Sequence, residues 1–266
     1  MSKPNVRDVL LKEAKAIKSD NVAVLLSAGV DSNSCMFALL EIHKQVSAYS
    51  FVLNGRMSTD YLGASRNARR FGVPFHSVLL PSDVGTLQND ILRLHALGAR
   101  LKTDYECMWP MLYAYDAITE DAIFSGLGAD AHFCLSKKGM IHYRDDIDAF
   151  RKGLYDSPTY TQVKLHQTLA SQHNKTTYIP YLVDAMKQEF LGTTWNEVNR
   201  PRQKQPILNA FPDQFRLIKV RPHTNLHLGD SGISNHFKLL LNSNWNTSNH
   251  KSVVGIFNAV NRGEIQ

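Results

Sequence analysis

Two runs place small residues, hydroxyls and a carboxylate where the chain leaves a short apolar segment. The first is Ser27-Ala28-Gly29-Val30-Asp31-Ser32, directly after Val22-Ala23-Val24-Leu25-Leu26. Small residues let the backbone approach an oxyanion closely. Amides at the start of the helix that follows would point at it, reinforced by the helix dipole. Ser27 and Ser32 add hydroxyl donors. Asp31 would repel a phosphate held there unless a cation such as Mg²⁺ lay between the two. No Gly-Lys-Ser/Thr follows, so the Walker A pattern is absent. The plainer alternative is a strand-to-helix turn with Asp31 or Ser32 as a cap. The second run, Ser125-Gly126-Leu127-Gly128-Ala129-Asp130, also closes a short apolar segment.

These turns need a scaffold, and the hydrophobic pattern supplies one. Residues 4–19 carry Val9, Leu10, Ala14 and Ile17 at helical spacing. Strands are expected at Val22–Leu26, Ser47–Leu53, Phe75–Leu79 and Ala122–Ser125. Helices are expected at Ser32–Lys44, Asp60–Phe71, Ser82–Leu97 (with a Ser-Asp cap) and Tyr105–Thr119, the last broken near Pro110. Beyond Gly139 the pattern predicts helices at 145–155, 159–172 and 181–190, and no strand. Strands alternating with helices imply a Rossmann-like parallel sheet flanked by helices, with a mostly helical C-terminal part. Residues 1–139 would form a nucleotide-binding α/β core with an N-terminal helix. Residues 140–266 would form a helical region completing the site. Ligands of such sheets bind at the carboxyl ends of strands, where both turns and Leu53 fall.

The chain has 266 residues, with 30 Lys+Arg against 24 Asp+Glu and a net charge of +6. This is ordinary globular composition and excludes long disorder and collagen-like repeats. The charge is local. Arg200, Arg202, Lys204, Arg216, Lys219 and Arg221 face only Asp213 within their segment. A nucleotide triphosphate or a nucleic acid backbone would satisfy it, and a solvated face is the bland alternative. No apolar run suits a membrane span and the N-terminus lacks a signal-peptide core, so no membrane partner is expected. The three cysteines, Cys35, Cys107 and Cys134, show no CxxC spacing. That suggests neither a disulfide framework nor a cysteine zinc site, and favours a cytoplasmic location.

The first turn resembles the Ser-Gly-Gly-x-Asp-Ser loop of the PP-loop ATP pyrophosphatases, with Ala28 for the first glycine. The second resembles the Ser-Gly-x-Gly-Ala-Asp-Glu segment of asparagine synthetase and β-lactam synthetase. Weaker likenesses run along residues 20–235. They are Asp60-Tyr61 with Ala64, Ala68, Gly72 and His76; Tyr178 to Val183; Lys204 to Leu208; and Lys219-Val220-Arg221 followed by Gly229 to Gly232. The resemblance implies an adenine nucleotide alpha-hydrolase-like fold and an ATP- and Mg²⁺-dependent, amide-forming ligase. Such an enzyme adenylates a small-molecule carboxylate, releases pyrophosphate and transfers the acyl group to ammonia or an amine. It further implies nucleotide contacts from Ser27, Ala28, Gly29, Val30, Asp31, Ser32, Leu53, Gly126 and Gly128. Mg²⁺ would fall to Asp31 and Asp130, and catalytic charge to Lys204, Lys219 and Arg221.

The chain also departs from that pattern. Ser2 stands where glutamine-dependent members carry a cysteine, and few residues precede the first strand, so no glutaminase domain is expected. Leu127 and Ala131 occupy positions where the group has proton-transferring or acidic residues. Glu106 or His132 are candidate replacements for the base. Two alternatives follow: nucleobase modification of tRNA or DNA, or a non-catalytic nucleotide-binding protein. Other readings are a dinucleotide fingerprint from Gly126, Gly128 and Ala131 with Asp148, a zinc cluster of His223, His227, His236 and Asp230, and a Cys107–Cys134 sulfur relay. Trp109, Trp195 and Trp245 read as core.

Overall fold

Burial on both faces explains why Asn21–Leu25 is a strand. Val22 and Val24 join one hydrophobic core with Val46, Ala48 and Phe124, while Ala23 joins another with Tyr49 and Ile123. Alternation between two cores is what a parallel sheet covered on both sides demands. The computed structural model describes residues 4–155, 161–221 and 229–265. Its strands are β1 (Asn21–Leu25), β2 (Gln45–Leu53), β3 (Phe75–Leu80), β4 (Ala122–Phe124) and β5 (Thr176–Tyr178). They lie in the order β3-β2-β1-β4-β5, and every neighbouring pair is parallel. This is the expected Rossmann-like α/β fold.

The helices are α1 (Val6–Ala16), α2 (Val30–Glu41), α3 (Thr59–Arg70), α4 (Val84–Ala96), α5 (Lys102–Ala117), α6 (Lys137–Tyr143) and α7 (Ile147–Tyr155). They continue as α8 (Thr161–Gln172), α9 (Asp184–Phe190), α10 (Trp195–Asn199), α11 (Gln205–Ala210), α12 (Pro212–Arg216), α13 (Ile233–Phe237) and α14 (Val253–Asn261). The first core joins β1, β2 and β4 to α1, α2 and α9–α11; the second joins them to α4, α5, α8, α13 and α14. Side-chain caps set several starts. Ser58 accepts from the Tyr61 amide at 3.1 Å, and Asp83 from the Thr86 amide at 2.7 Å. No helix among the described residues is long and apolar enough to cross a membrane.

Two expectations are corrected. A strand does follow Gly139: Thr176–Tyr178 pairs with β4 and extends the sheet from beyond the boundary expected at 139/140. Three residues are too few to display a period, although Thr-Thr-Tyr suits a strand. Nor does Pro110 break its helix, since α5 runs continuously from Lys102 to Ala117. Pro110 forfeits one helical N–H bond, but it is buried, as are Met108, Trp109, Met111 and Leu112 around it. Packing there outweighs the missing bond.

The segment after the second turn is tied down by Arg151, which is only 2% exposed. Its guanidinium donates to the carbonyls of His132, Phe190 and Thr193 and to the Thr193 hydroxyl. It also pairs with Asp148 at 2.6 Å. Truncation would strand several buried acceptors at once. Arg151→Met is expected to lose about 3 kcal/mol of stability, read as a lower urea midpoint with an unchanged slope.

Candidate active site

The first turn is clamped by its own side chains. Ser27 Oγ accepts from the Gly29 amide at 3.1 Å, and the Ser27 amide donates to Ser32 Oγ at 3.0 Å. Asn33 donates to the carbonyls of Ser27 (2.9 Å) and Gly29 (2.6 Å), and Asn67 of α3 donates to Asn33 at 3.0 Å. Gly29 is the N-cap residue of α2 and carries no side-chain cap of its own. The amides that open α2 therefore face the cavity at the carboxyl end of β1. The capping role considered for Asp31 or Ser32 does not arise, because both lie within the first turn of α2.

The second turn packs against the first. A Cβ on Gly126 would lie 2.8 Å from the Asp31 carbonyl carbon and 2.9 Å from the Ser32 nitrogen, so only glycine fits. That close approach brings Asp31 and Asp130 to one point. Lys204 Nζ sits 2.5 Å from Asp31 Oδ2 and 2.5 Å from Asp130 Oδ1. Lys204 precedes α11 at a left-handed φ of 59° and is 4% exposed. Burial alone would pull its ammonium pKa down, but the two carboxylates outweigh this and hold it above the usual lysine range.

A second charge cell flanks the turn. Arg221 contacts Asp230 at 3.1 Å and Asp60 at 3.2 Å, and its backbone amide donates to the Ala28 carbonyl at 3.0 Å. Asp230 also accepts from the amide and hydroxyl of Thr59. Burial pushes the Asp230 carboxyl up, yet Thr59 and Arg221 prevail and hold it at about 2. Burial keeps Asp60 above the usual carboxylate range despite Arg221 and the Ala28 amide.

Both cells open on one cavity of about 780 Å³. Ser27, Gly29, Val30, Asp31, Ser32, Gly126, Asp130, Lys204 and Arg221 all line it. Ala28, Leu53 and Gly128 stand behind it. Ala28 is packed on Gly63 of α3, Leu53 lies in the second core near Gly232, and Gly128 abuts Leu182. Lys219 is exposed and outside the lining. Of the basic segment, Lys204 and Arg221 turn inward, Arg216 pairs with Asp213, and Arg200 lies over the Trp195 ring. The segment is therefore not one exposed basic strip.

The remaining candidates separate from the cavity. His132 is buried, with Nε2 2.6 Å from the Tyr181 carbonyl and Nδ1 2.5 Å from the Tyr155 hydroxyl. Both ring nitrogens are engaged, so the expected base role finds no opening there. Glu106 is buried against Lys102 and Ser234, away from the lining. Asp148 holds Arg151 and the Gly192 amide, not a ribose. His223 and His227 lie outside the described residues. His236 stacks on Trp109, and no group of three or more metal-ligating side chains exists among the described residues. Cys107 lines the cavity but Cys134 does not. Burial pushes both thiols up, Cys107 to about 12, which disfavours a relay through thiolates. Trp109 and Trp195 are buried, as expected.

The donor set fits Mg²⁺ in one particular way. Two hard carboxylate oxygens converge within 2.5 Å of a shared centre, and Mg²⁺ is commonly held by one or two carboxylates plus substrate phosphates. The pair suits a metal that arrives with a phosphate ligand better than a free-standing centre. A family model for asparagine synthase matches residues 6–216, and the chain belongs to that family of ATP-dependent amide-forming ligases. No curated protein matches it.

Sequence reasoning overlooked Asn33, Asn67 and Gly63. An asparagine in the first turn of α2, another buried near the end of α3, and a glycine inside a helix were the available signals. A Cβ on Gly63 would sit 2.4 Å from the Ala28 Cβ. Gly63→Ala is therefore expected to cost about 1–3 kcal/mol, with most of it recovered in the Ala28→Gly/Gly63→Ala double variant. A thermodynamic cycle from chemical denaturation measures this, and additive effects would contradict it.

A second outcome concerns pH. Burial pulls His132 down to about 3 and His166 of α8 down to about 4. Between about pH 6.5 and those values the unfolded chain binds protons that the folded chain does not. Stability should thus fall as pH drops from 6.5, by up to about 1.4 kcal/mol per unit for each imidazole. Urea midpoints that stay level between pH 7 and 4.5 would contradict their neutral burial.

Proposed function

We propose that this protein uses Mg-ATP to adenylate a small-molecule carboxylate, releasing pyrophosphate, and then forms an amide with ammonia or an amine. The observation that carries this reading is the convergence of Asp31, Asp130 and Lys204 at the meeting point of the two glycine turns. Charge supports it further. Lys204 and Arg221 face four carboxylates, Asp31, Asp130, Asp60 and Asp230. A bare polyphosphate would meet net repulsion there, whereas one carrying a divalent cation would not.

Asp31 and Asp130 would hold Mg²⁺, which neutralises phosphate charge when bound. The amides opening α2, with Ser27 and Ser32, would cradle the terminal phosphates. Lys204 and Arg221 would shift from carboxylate to phosphate partners and stabilise the charge growing on departing pyrophosphate. The substrate carboxylate oxygen attacks the α-phosphorus, the bond to the bridging oxygen breaks, and an acyl-adenylate remains. An amine nitrogen then attacks the acyl carbon and AMP departs. The chain contributes mostly position and fixed charge.

Incubation with α-labelled ATP, Mg²⁺ and pooled carboxylates and amines should yield AMP and pyrophosphate. Asp31→Ala should abolish it, and Lys204→Met should slow it about 10²–10³-fold. Production of ADP and phosphate instead would overturn the mechanism.

A further inference from the structure

Opposite the phosphate-facing turns, the cavity is closed by α5 and α8. Thr103, Cys107, Met111 and Ala114 recur every three or four residues on one face of α5, and Gln162 and His166 lie one turn apart on α8. No aspartate, glutamate, lysine or arginine stands among these six. A nucleophile received against such a wall enters uncharged, and its nitrogen must shed a proton as it displaces AMP. Leu127, on the same cavity, cannot take that proton.

The other groups lining the cavity that could accept a proton, its carboxylates, phenols and thiol, are committed. Asp31 and Asp130 hold Lys204, and Asp60 holds Arg221. The Tyr49 hydroxyl donates to Glu120 at 2.8 Å, and that of Tyr61 is 2.6 Å from Ser77 Oγ. Cys107 is held as a thiol by burial and its acidic neighbours. His166 differs. Its Nδ1 lies 3.0 Å from the Tyr115 hydroxyl, which lies 2.8 Å from Thr177 Oγ1 on β5. Among the described residues His166 forms no other hydrogen bond. With the Tyr115 proton directed to Thr177, Tyr115 accepts Nδ1–H, and the lone pair of the imidazole falls on Nε2.

We propose that His166 is the proton acceptor of the amide-forming step, with Tyr115 and Thr177 as positioning residues that fix its tautomer; this rests on the adenylation reading above. The carbon–nitrogen bond forms at the acyl carbon, and the carbon–oxygen bond to AMP breaks. The electron pair leaves on the AMP oxygen, and the amine proton passes to Nε2. Burial keeps the imidazole neutral and its lone pair unprotonated beforehand. It also makes the ring a weaker base than a free imidazole, so its protonation must be coupled to the charge forming on the departing AMP.

Two partial reactions separate this assignment from the reading beneath it. Carboxylate-dependent ATP–pyrophosphate exchange, with the twenty amino acids and a panel of di- and oxo-carboxylic acids, reports adenylation. Single-turnover product formation with ammonia or hydroxylamine reports acyl transfer. His166→Gln should keep exchange within about twofold and lose transfer to ammonia by about 10²–10⁴-fold. Its loss with weakly basic hydroxylamine should be smaller. Tyr115→Phe, which retains the imidazole, should lose transfer to ammonia by about tenfold. In its ¹⁵N spectrum the His166 proton should move from Nδ1 towards Nε2. Wild-type transfer by His166→Gln, or equal loss of exchange and transfer, overturns the base assignment alone. An unchanged tautomer in Tyr115→Phe overturns the relay. Absence of exchange from the wild type with every carboxylate overturns the adenylation reading. Exchange without any hydroxamate overturns the amide step.

Discussion

A lysine ammonium enclosed by protein must be neutralised, and most of this architecture follows from how Lys204 achieves it. Transfer of a lone cation out of water costs several kcal/mol, recovered only with close, well-placed counter-charges. Its two partners lie 99 residues apart in sequence, one after β1 and one after β4. They meet because β1 and β4 are neighbours in the sheet, with the chain running to β2 on one side and returning to β4 on the other. Such a switch in strand order leaves a crevice at the carboxyl ends. Lys204 lines that crevice from the position just before α11, where its own backbone is left-handed.

The same constraint accounts for the small residues. Two turns can share one cation only if their backbones nearly touch, and the 2.8 Å approach at Gly126 is that contact. Ala28 shows that the rule concerns volume and not glycine as such. Its methyl group fits because α3 presents Gly63 opposite it. Asn67 on the same helix steadies Asn33, which holds the turn's carbonyls. One helix therefore shapes the turn twice, by the space Gly63 leaves for Ala28 and by the Asp60 carboxylate that accepts from the Ala28 amide.

How much of this could be read in advance depends on how locally each feature is encoded. Val22–Leu26 followed by small residues identifies a buried strand and its turn within a dozen positions, and the first four strands were legible this way. β5 was not, because three residues carry no period and its pairing with β4 is a tertiary fact. The basic segment was legible as charge but not as direction. Lys204 and Arg221 point into the cavity, whereas Lys219 of the same segment faces solvent. His166 was invisible for a similar reason. Its partners Tyr115 and Thr177 come from α5 and β5, and no spacing rule links the three.

The two walls of the cavity are also constrained differently. On the side of the two turns Asp31, Lys204 and Asp130 are tied to one another, so changing any of them disturbs charges on at least two elements. On the α5–α8 side the lining is a stripe of side chains without a carboxylate, ammonium or guanidinium, set around one imidazole. Substitution at Met111, Ala114 or Gln162 alters shape and packing without stranding a charge, a cost that repacking can absorb. On the proposed mechanism, chemistry common to many acceptors would belong to the turns, and the choice of acceptor to two helices whose periodicity, read alone, announces nothing beyond a core.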